Sequence, residues 1–310
     1  MAEFDHQPVM LEQVLTGLSL QPDGYYVDAT FGRGGHSRAL LRQLGPKGRL
    51  LVLDKDPEAI RSAKLLAQQD ERVSVVHTSY MNLVDAVKES GWLQGVQGVL
   101  LDLGVSSPQL DDPGRGFSFM QQGPLDMRMN TEAGIDAASW LAEASDEEIA
   151  KVLRDYGEER FAWRIARKIV ETREETPLET TRQLAELIAS TVPFREKHKH
   201  PATRSFQAIR IFINQELHEL KAVLPQTIDV LAEGGRLAVI SFHSLEDRIV
   251  KRFIRDEYRG PELPPDLPII PEAYLPRLRP LGKAIKTDSE EIQANPRARS
   301  AILRLAERLV

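Results

Sequence analysis

Short apolar runs alternate with helix-period runs through the first third of the chain. Residues 25–29, 49–54, 73–77 and 98–103 are brief stretches rich in Val, Leu and Tyr, which read as buried strands. Between them, residues 37–44, 57–69 and 82–89 carry apolar positions at helical spacing. This alternation predicts a mostly parallel sheet with helices on both faces. Ligands of such sheets sit beyond the carboxyl ends of the strands, where Asp28, Asp54 and Asp102 would converge.

The alternation stops near Asp111. From there to Thr203 the pattern is helical, with pieces expected at 138–142, 146–156, 159–172 and 181–191, the last closed by Pro193. The chain therefore divides into a discontinuous α/β domain, residues 1–110 and 204–310, and an all-helical insertion, residues 111–203. After the insertion, the spacing predicts one long helix over 205–224 and a second over 226–232. Glu233-Gly234-Gly235 reads as a turn into a strand at 236–242, followed by a helix at 244–256. The Pro-rich stretch 260–280 reads as a surface loop. Residues 300–309 read as a last strand, with a short edge helix as the competing assignment.

Composition narrows the class. The 310 residues suffice for one large or two ordinary domains, and 42% hydrophobic with 28% charged residues is the balance of a soluble globular protein. The absence of cysteine excludes disulfides, thiolate metal sites and cysteine nucleophiles, and suits a reducing compartment. The acidic start Met1-Ala2-Glu3-Phe4-Asp5-His6 is unlike a signal peptide, and no apolar run reaches the length of a membrane span, so no membrane partner is expected. A net charge of −6 argues against indiscriminate coating of nucleic acid but permits a local basic face.

The most informative segment is Tyr26-Val27-Asp28-Ala29-Thr30-Phe31-Gly32-Arg33-Gly34-Gly35-His36-Ser37. A strand ends in an acid and passes through a glycine-rich turn into a helix, so a ligand can approach backbone amides closely. Gly32 and Gly34 fit a dinucleotide fingerprint, but Ser37 occupies its sixth position. With Asp28 in front, the loop instead suits S-adenosylmethionine, whose ammonium and sulfonium are cations. Asp54 stands about 20 residues beyond the glycines, where a carboxylate at a strand tip can accept both ribose hydroxyls. Asp56-Pro57 is the better helix cap. Tyr80 would either line an adenine pocket at this edge or pack half-buried.

A second site follows in Leu101-Asp102-Leu103-Gly104-Val105-Ser106-Ser107-Pro108-Gln109. An exocyclic base amine attacks poorly because its lone pair is delocalised into the ring. A carboxylate and loop carbonyls accepting its N–H bonds would localise and aim that pair. Asp102 is the candidate for this task, with Ser106 and Ser107 in the supporting loop. The usual aromatic of such a motif is missing, leaving Phe117 and Phe119 to stack the base or simply to pack a core.

Taken with further strings, these segments resemble the RsmH (MraW) family, bacterial methyltransferases of a cytidine N4 in small-subunit ribosomal RNA. The strings include His6-Gln7-Pro8-Val9-Met10, Gly123-Pro124-Leu125-Asp126-Met127-Arg128-Met129 and Tyr156-Gly157-Glu158-Glu159-Arg160-Phe161. His200-Pro201-Ala202-Thr203-Arg204, Ser241-Phe242-His243-Ser244-Leu245-Glu246-Asp247-Arg248 and Asn295-Pro296-Arg297-Ala298-Arg299-Ser300 continue the match. The resemblance implies a class I SAM-dependent methyltransferase fold, Rossmann-like and interrupted by a helical domain with an RNA-recognition role. It implies cofactor contacts from Gly34, Gly35, His36, Asp54, Tyr80, Asp102 and Gln109, which join Asp28 and Gly32. It also implies a cytoplasmic enzyme whose partner is 16S rRNA, modified in the decoding region within the small subunit. A homodimer is compatible with the sequence, which leaves oligomeric state open.

Basic clusters offer the RNA contacts. Lys197, Lys199, Arg204 and Arg210 form a strip suited to phosphates, and Arg248 belongs to a mostly basic helix face with Lys251, Arg252 and Arg255. His243 either reaches the cleft or satisfies a strand end. His198 and His200 lack a third ligand and are flanked by lysines, so no metal is expected there. Two rival readings use parts of the same pattern. An NAD-dependent oxidoreductase would share Asp54 but lacks the full glycine fingerprint, and a non-catalytic RNA-binding factor would not need three converging acids.

Overall fold

The structure, a computed structural model, describes residues 8–92, 94–193, 200–260 and 275–309. The first part of the chain runs α1 (Leu11–Leu18), β1 (Tyr25–Asp28), α2 (Gly35–Gln43), β2 (Arg49–Asp54), α3 (Pro57–Gln69), β3 (Val73–His77), α4 (Leu83–Glu89) and β4 (Val96–Asp102). A helical series follows: α5 (Ser107–Asp111), α6 (Ala137–Glu143), α7 (Asp146–Gly157), α8 (Ala162–Glu175), α9 (Thr181–Thr191) and α10 (Thr203–Ile213). The chain ends with α11 (Glu216–Val230), β5 (Leu231–Ser241), α12 (Ser244–Arg259), β6 (Leu278–Pro280), β7 (Ile285–Lys286), α13 (Ser289–Ala294) and β8 (Ile302–Arg308). None of the described helices is long and apolar enough to cross a membrane.

The strands form one eight-stranded sheet in the order β3-β2-β1-β4-β5-β8-β6, with β7 also on β8. Strands β1 to β5 pair in parallel, while β8 runs antiparallel to β5, β6 and β7. This is the class I methyltransferase architecture that the sequence resemblance implies. The central strands are buried on both faces, as expected where helices cover a parallel sheet: Leu50, Leu51, Val52 and Leu53 of β2 are all fully buried. One apolar layer, including Val99, Leu101, Val239 and Leu224, covers one side; another, including Leu40, Leu100 and Ile240, covers the other.

The chain separates into two compact units, residues 1–104 with 217–310 and residues 105–216. The helical unit is thus wider than the stretch 111–203 and takes in α5 and α10. Its own core includes Leu125, Met127, Trp140, Leu153, Ile169, Leu184 and Ile209. Phe117 is buried in that core, and Phe119 packs on it with its ring 4.6 Å from His200 and 4.8 Å from Phe206. Both candidate base-stacking rings therefore do packing work.

Four expectations are corrected. The single helix over 205–224 is two helices, α10 and α11, broken at Asn214 and at Gln215, whose φ is 52°. The buried Asn214 amide donates to the carbonyls of Met127 (2.7 Å) and Arg210 (2.9 Å) and accepts from Met129 N–H (2.7 Å), which ends α10 without glycine or proline. Pro225, by contrast, lies inside α11 and does not end it. Glu233-Gly234-Gly235 is not a turn before the strand but an irregularity within β5. Val96 pairs with Leu231 and Gly98 with Arg236, so extra residues of β5 loop out opposite Gln97. At the other end of the Pro-rich stretch, residues 278–280 are strand rather than loop, and 261–274 lie outside the described residues.

Candidate active site

The order β2-β1-β4 brings the acids at the ends of three adjacent strands to one edge of the sheet. The loop after β1 wraps over that edge. Its backbone is pinned by Ala29 N–H to the Leu100 carbonyl (3.0 Å) and Phe31 N–H to the Leu53 carbonyl (3.0 Å), so it is tied to both neighbouring strands. Gly34 adopts φ +75°, and a Cβ there would lie 2.5 Å from the Phe31 ring. Only glycine fits, and the backbone at the mouth of α2 stays bare.

Asp28 is almost wholly buried. It accepts the Ser37 hydroxyl at 2.6 Å and the Thr30 N–H at 3.2 Å. Burial pushes its carboxyl up to about 6, against the lowering effect of the Ser37 and Thr30 hydrogen bonds. Ser37, which spoils a dinucleotide fingerprint, is therefore the partner that holds the acid. Asp54 accepts Gly32 N–H at 2.8 Å on one oxygen and Asp56 N–H at 2.9 Å on the other. Burial raises its carboxyl as well. Each of its oxygens keeps a second lone pair that a ribose diol can use. Asp56 accepts Glu58 N–H at 2.9 Å and caps α3, as the Asp56-Pro57 pair leads one to expect.

Asp102 closes the group. Its N–H donates to the Thr30 hydroxyl at 2.7 Å, while its Oδ1 is buried with no hydrogen-bond partner. Burial, then the charges of Asp28 and Glu246, push this carboxyl up to about 8. The side chain as a whole keeps 26% exposure. His36 stands beside it, Nδ1 to Oδ2 at 3.7 Å. Burial lowers this imidazole to about 4, so it is neutral at neutral pH and the contact is not an ion pair. Its Nε2 lies 3.1 Å from the Val9 carbonyl and must donate, which leaves Nδ1 as the acceptor facing Asp102. Tyr80 follows β3 in a short 3-10 turn at the same edge, half-buried against the core.

The remaining candidates have these places and partners. Ser106, Ser107 and Gln109 belong to the helical unit, where Ser106 is the N-cap of α5 and its N–H is accepted by Gln109 Oε1 at 2.9 Å. His243 caps α12: Nδ1 accepts Glu246 N–H at 3.4 Å. Glu246 Oε1 also sits 3.1 Å from its Nε2, but off the direction of a hydrogen bond, and Nε2 stays unsatisfied. Arg210 is engaged by Glu216 through two bonds of 2.8 and 2.9 Å, with 16% and 6% of the two side chains exposed, so it is not an open phosphate contact. Arg204 donates to the Glu158 carbonyl at 3.2 Å, and Arg248 is exposed on α12. Lys197, Lys199 and His198 lie outside the described residues. Sequence reasoning missed Thr30 and Glu246. Thr30 links the Asp28 and Asp102 loops, and the buried Glu246 accepts the N–H groups of Phe242 (2.8 Å) and His243 (3.2 Å) beside the same edge. Thr30 had a signal, since a hydroxyl two residues past the strand-ending acid is well placed to bond across the edge.

A family model described as the MraW methylase family matches residues 3–309. A ribosomal RNA small subunit methyltransferase H of Thioalkalivibrio sulfidiphilus is 59% identical over 305 residues, covering 98% of this chain and 97% of its own. Its counterpart from Coxiella burnetii is 56% identical over 304 residues, covering 98% and 99%. A solved rRNA methylase from Streptococcus thermophilus covers 100% of both chains at a TM-score of 0.44 and 12% identity.

Proposed function

The chain belongs to the MraW methylase family, and from that premise we propose that it transfers a methyl group from S-adenosylmethionine to the N4 amine of a cytidine in the decoding region of 16S rRNA. Methylation of small-subunit rRNA is the activity that its relatives' names carry. The observation that supports the chemistry is the placement of Asp28, Asp54 and Asp102 around one glycine-rich loop, Asp28 buried and Asp102 Oδ1 left unpartnered.

That donor set fits the cofactor, because two carboxylates face where a cation would lie and a third has lone pairs for a diol. When bound, S-adenosylmethionine supplies an electrophilic methyl group on a sulfonium. Asp28, fixed by Ser37 and Thr30, steers the amino-acid end. Asp54 holds the ribose and at the same time ties down Gly32 N–H. Asp102 accepts an N–H of the target amine on its free oxygen, which aims the nitrogen lone pair and localises it. Its raised value keeps it largely protonated at neutral pH in the free protein; a sulfonium beside it would favour ionisation, and the carboxylate so formed accepts the proton that the methylated amine must lose. Neutral His36 gives Asp102 a neighbour that does not compete as a cation.

The helical unit has the RNA-recognition role in this reading, and the substrate is the assembled small subunit. The test is nucleoside mass spectrometry of small subunits from a strain lacking the gene, incubated with the protein and methyl-labelled S-adenosylmethionine. Label in N4-methylcytidine is expected. Binding of the cofactor without label in that nucleoside would refute the proposed acceptor.

A further inference from the structure

Two strands across the sheet from β4, the last two turns of α12 meet the β6–β7 turn and β8 around a hollow of about 240 Å³. Its rim is cationic: Lys251, Arg255 and Arg259 from α12, Lys283 from the turn and Arg304 from β8, with no acid among the lining residues. Tyr258, 48% exposed, stands among them. The whole arrangement lies within the α/β unit.

Local ion pairs account for only part of this charge. Arg304 is held by Asp247 in two bonds of 2.6 and 3.1 Å, and Arg255 is paired with the adjacent Asp256 at 2.7 Å. Glu257, the other acid of this turn, is engaged by Arg277 at 2.7 Å. Lys251, Arg259 and Lys283 make no hydrogen bond or ion pair to any described residue. Three cations without an ion pair among the described residues, around one hollow, are conspicuous in a chain of net charge −6. A helix C-terminus favours a cation in its last turn, which accounts for Arg259 but not for Lys283 on a separate turn.

We propose that this hollow is a second RNA-binding site, which takes a phosphodiester segment of the substrate RNA with one unpaired base stacked on Tyr258. The proposal rests on the rRNA-methyltransferase reading and adds to it an anchoring surface separate from the methyl-transfer edge. Phosphates meet Lys251, Arg259 and Lys283 as point charges, and the exposed phenol ring supplies a stacking face that accepts any base. RNA fits the combination because it joins closely spaced negative charge to planar rings. The hollow positions the substrate without touching the reacting atoms, so its loss acts on binding and leaves turnover intact.

The test compares the full-length protein with a Lys251→Gln/Arg259→Gln/Lys283→Gln variant and, separately, with Tyr258→Ala. Dissociation constants for small subunits and for protein-free 16S rRNA are measured across salt concentrations, alongside KM and kcat for methyl transfer. The triple variant is expected to weaken binding to both RNAs at least about tenfold and to flatten the log–log salt slope by about 2. Tyr258→Ala is expected to weaken binding about fivefold or more with the slope unchanged. For both, kcat, cofactor affinity and melting temperature stay at wild-type values. Unchanged RNA affinity in either variant overturns the site as proposed. Weakened binding to subunits with unchanged binding to protein-free RNA also overturns it, and assigns the hollow to an acidic protein surface. Failure of the wild type itself to methylate subunits it binds would count against the functional reading instead, because the binding measurements stand without it.

Discussion

The Ser37 hydroxyl donates to the Asp28 carboxylate across 2.6 Å, inside the protein and away from water. A glycine fingerprint has no side chain at this position, so the serine converts a packing position into the support of an acid. Ser37→Ala leaves a buried carboxyl with one fewer donor. The expected cost is about 1–3 kcal/mol of folding stability, together with weaker cofactor binding. Urea unfolding and calorimetric titration with S-adenosylmethionine read the two effects.

Asp102 sets a pH dependence. An acid whose folded value is raised binds protons more tightly folded than unfolded, so its contribution to stability is lost as pH rises from about 4 to about 8. Asp28 acts the same way up to about 6, and His36, lowered to about 4, acts in the opposite direction below 6.5. Between pH 6.5 and 8 only Asp102 of these three remains. The melting temperature of the free protein is therefore expected to fall over that window and to stay level in Asp102→Asn. At pH 8 that variant should be more stable than wild type by on the order of 1–3 kcal/mol, while its methyl transfer falls at least about a hundredfold.

Gly34→Ala tests the loop. An added Cβ meets the Phe31 ring at 2.5 Å in a backbone conformation that disfavours L side chains. A loss of at least about 1 kcal/mol in stability is expected, with cofactor affinity reduced further because Phe31 and the mouth of α2 must shift. Gly234→Ala, whose φ is also positive but whose Cβ would meet nothing within 4 Å, serves as the control for backbone strain alone.

Arg210→Ala distinguishes an ion pair from an RNA contact. Removing this side chain strands the nearly buried Glu216 carboxylate, and the expected result is a stability loss of roughly 2–4 kcal/mol. RNA affinity, measured below the variant's melting temperature, should remain near wild type. A large affinity loss with unchanged stability would restore Arg210 to the phosphate strip.

The parallel sheet and its first helices were legible because each has a local signature. The apolar runs of β2 and β3 and the Asp56-Pro57 cap of α3 predict bounds that the structure reproduces. What was hidden depends on partners distant in sequence or on acids next to basic residues. Asn214 ends α10 by bonding to Met127 and Met129, and nothing near residue 214 announces that. Arg210 and His243 look like RNA ligands until Glu216 and Glu246, six and three residues on, engage them. The looped-out residues of β5 were read as a turn because Gly234-Gly235 carries the same local signal in both settings.

The pairing of Val99 with Leu237 has a consequence for the order of events during synthesis. When β4 leaves the ribosome it already has β1 on one side, but its other edge must wait for β5, which follows the whole helical unit. At ordinary translation rates that delay is on the order of ten seconds, during which an apolar strand edge is open to mispairing. A helical unit that collapses early, with its own core, draws the ends of this long connection together and shortens the search. Variants that weaken the helical core are thus expected to lower the yield of folded nascent chains before they change the finished enzyme.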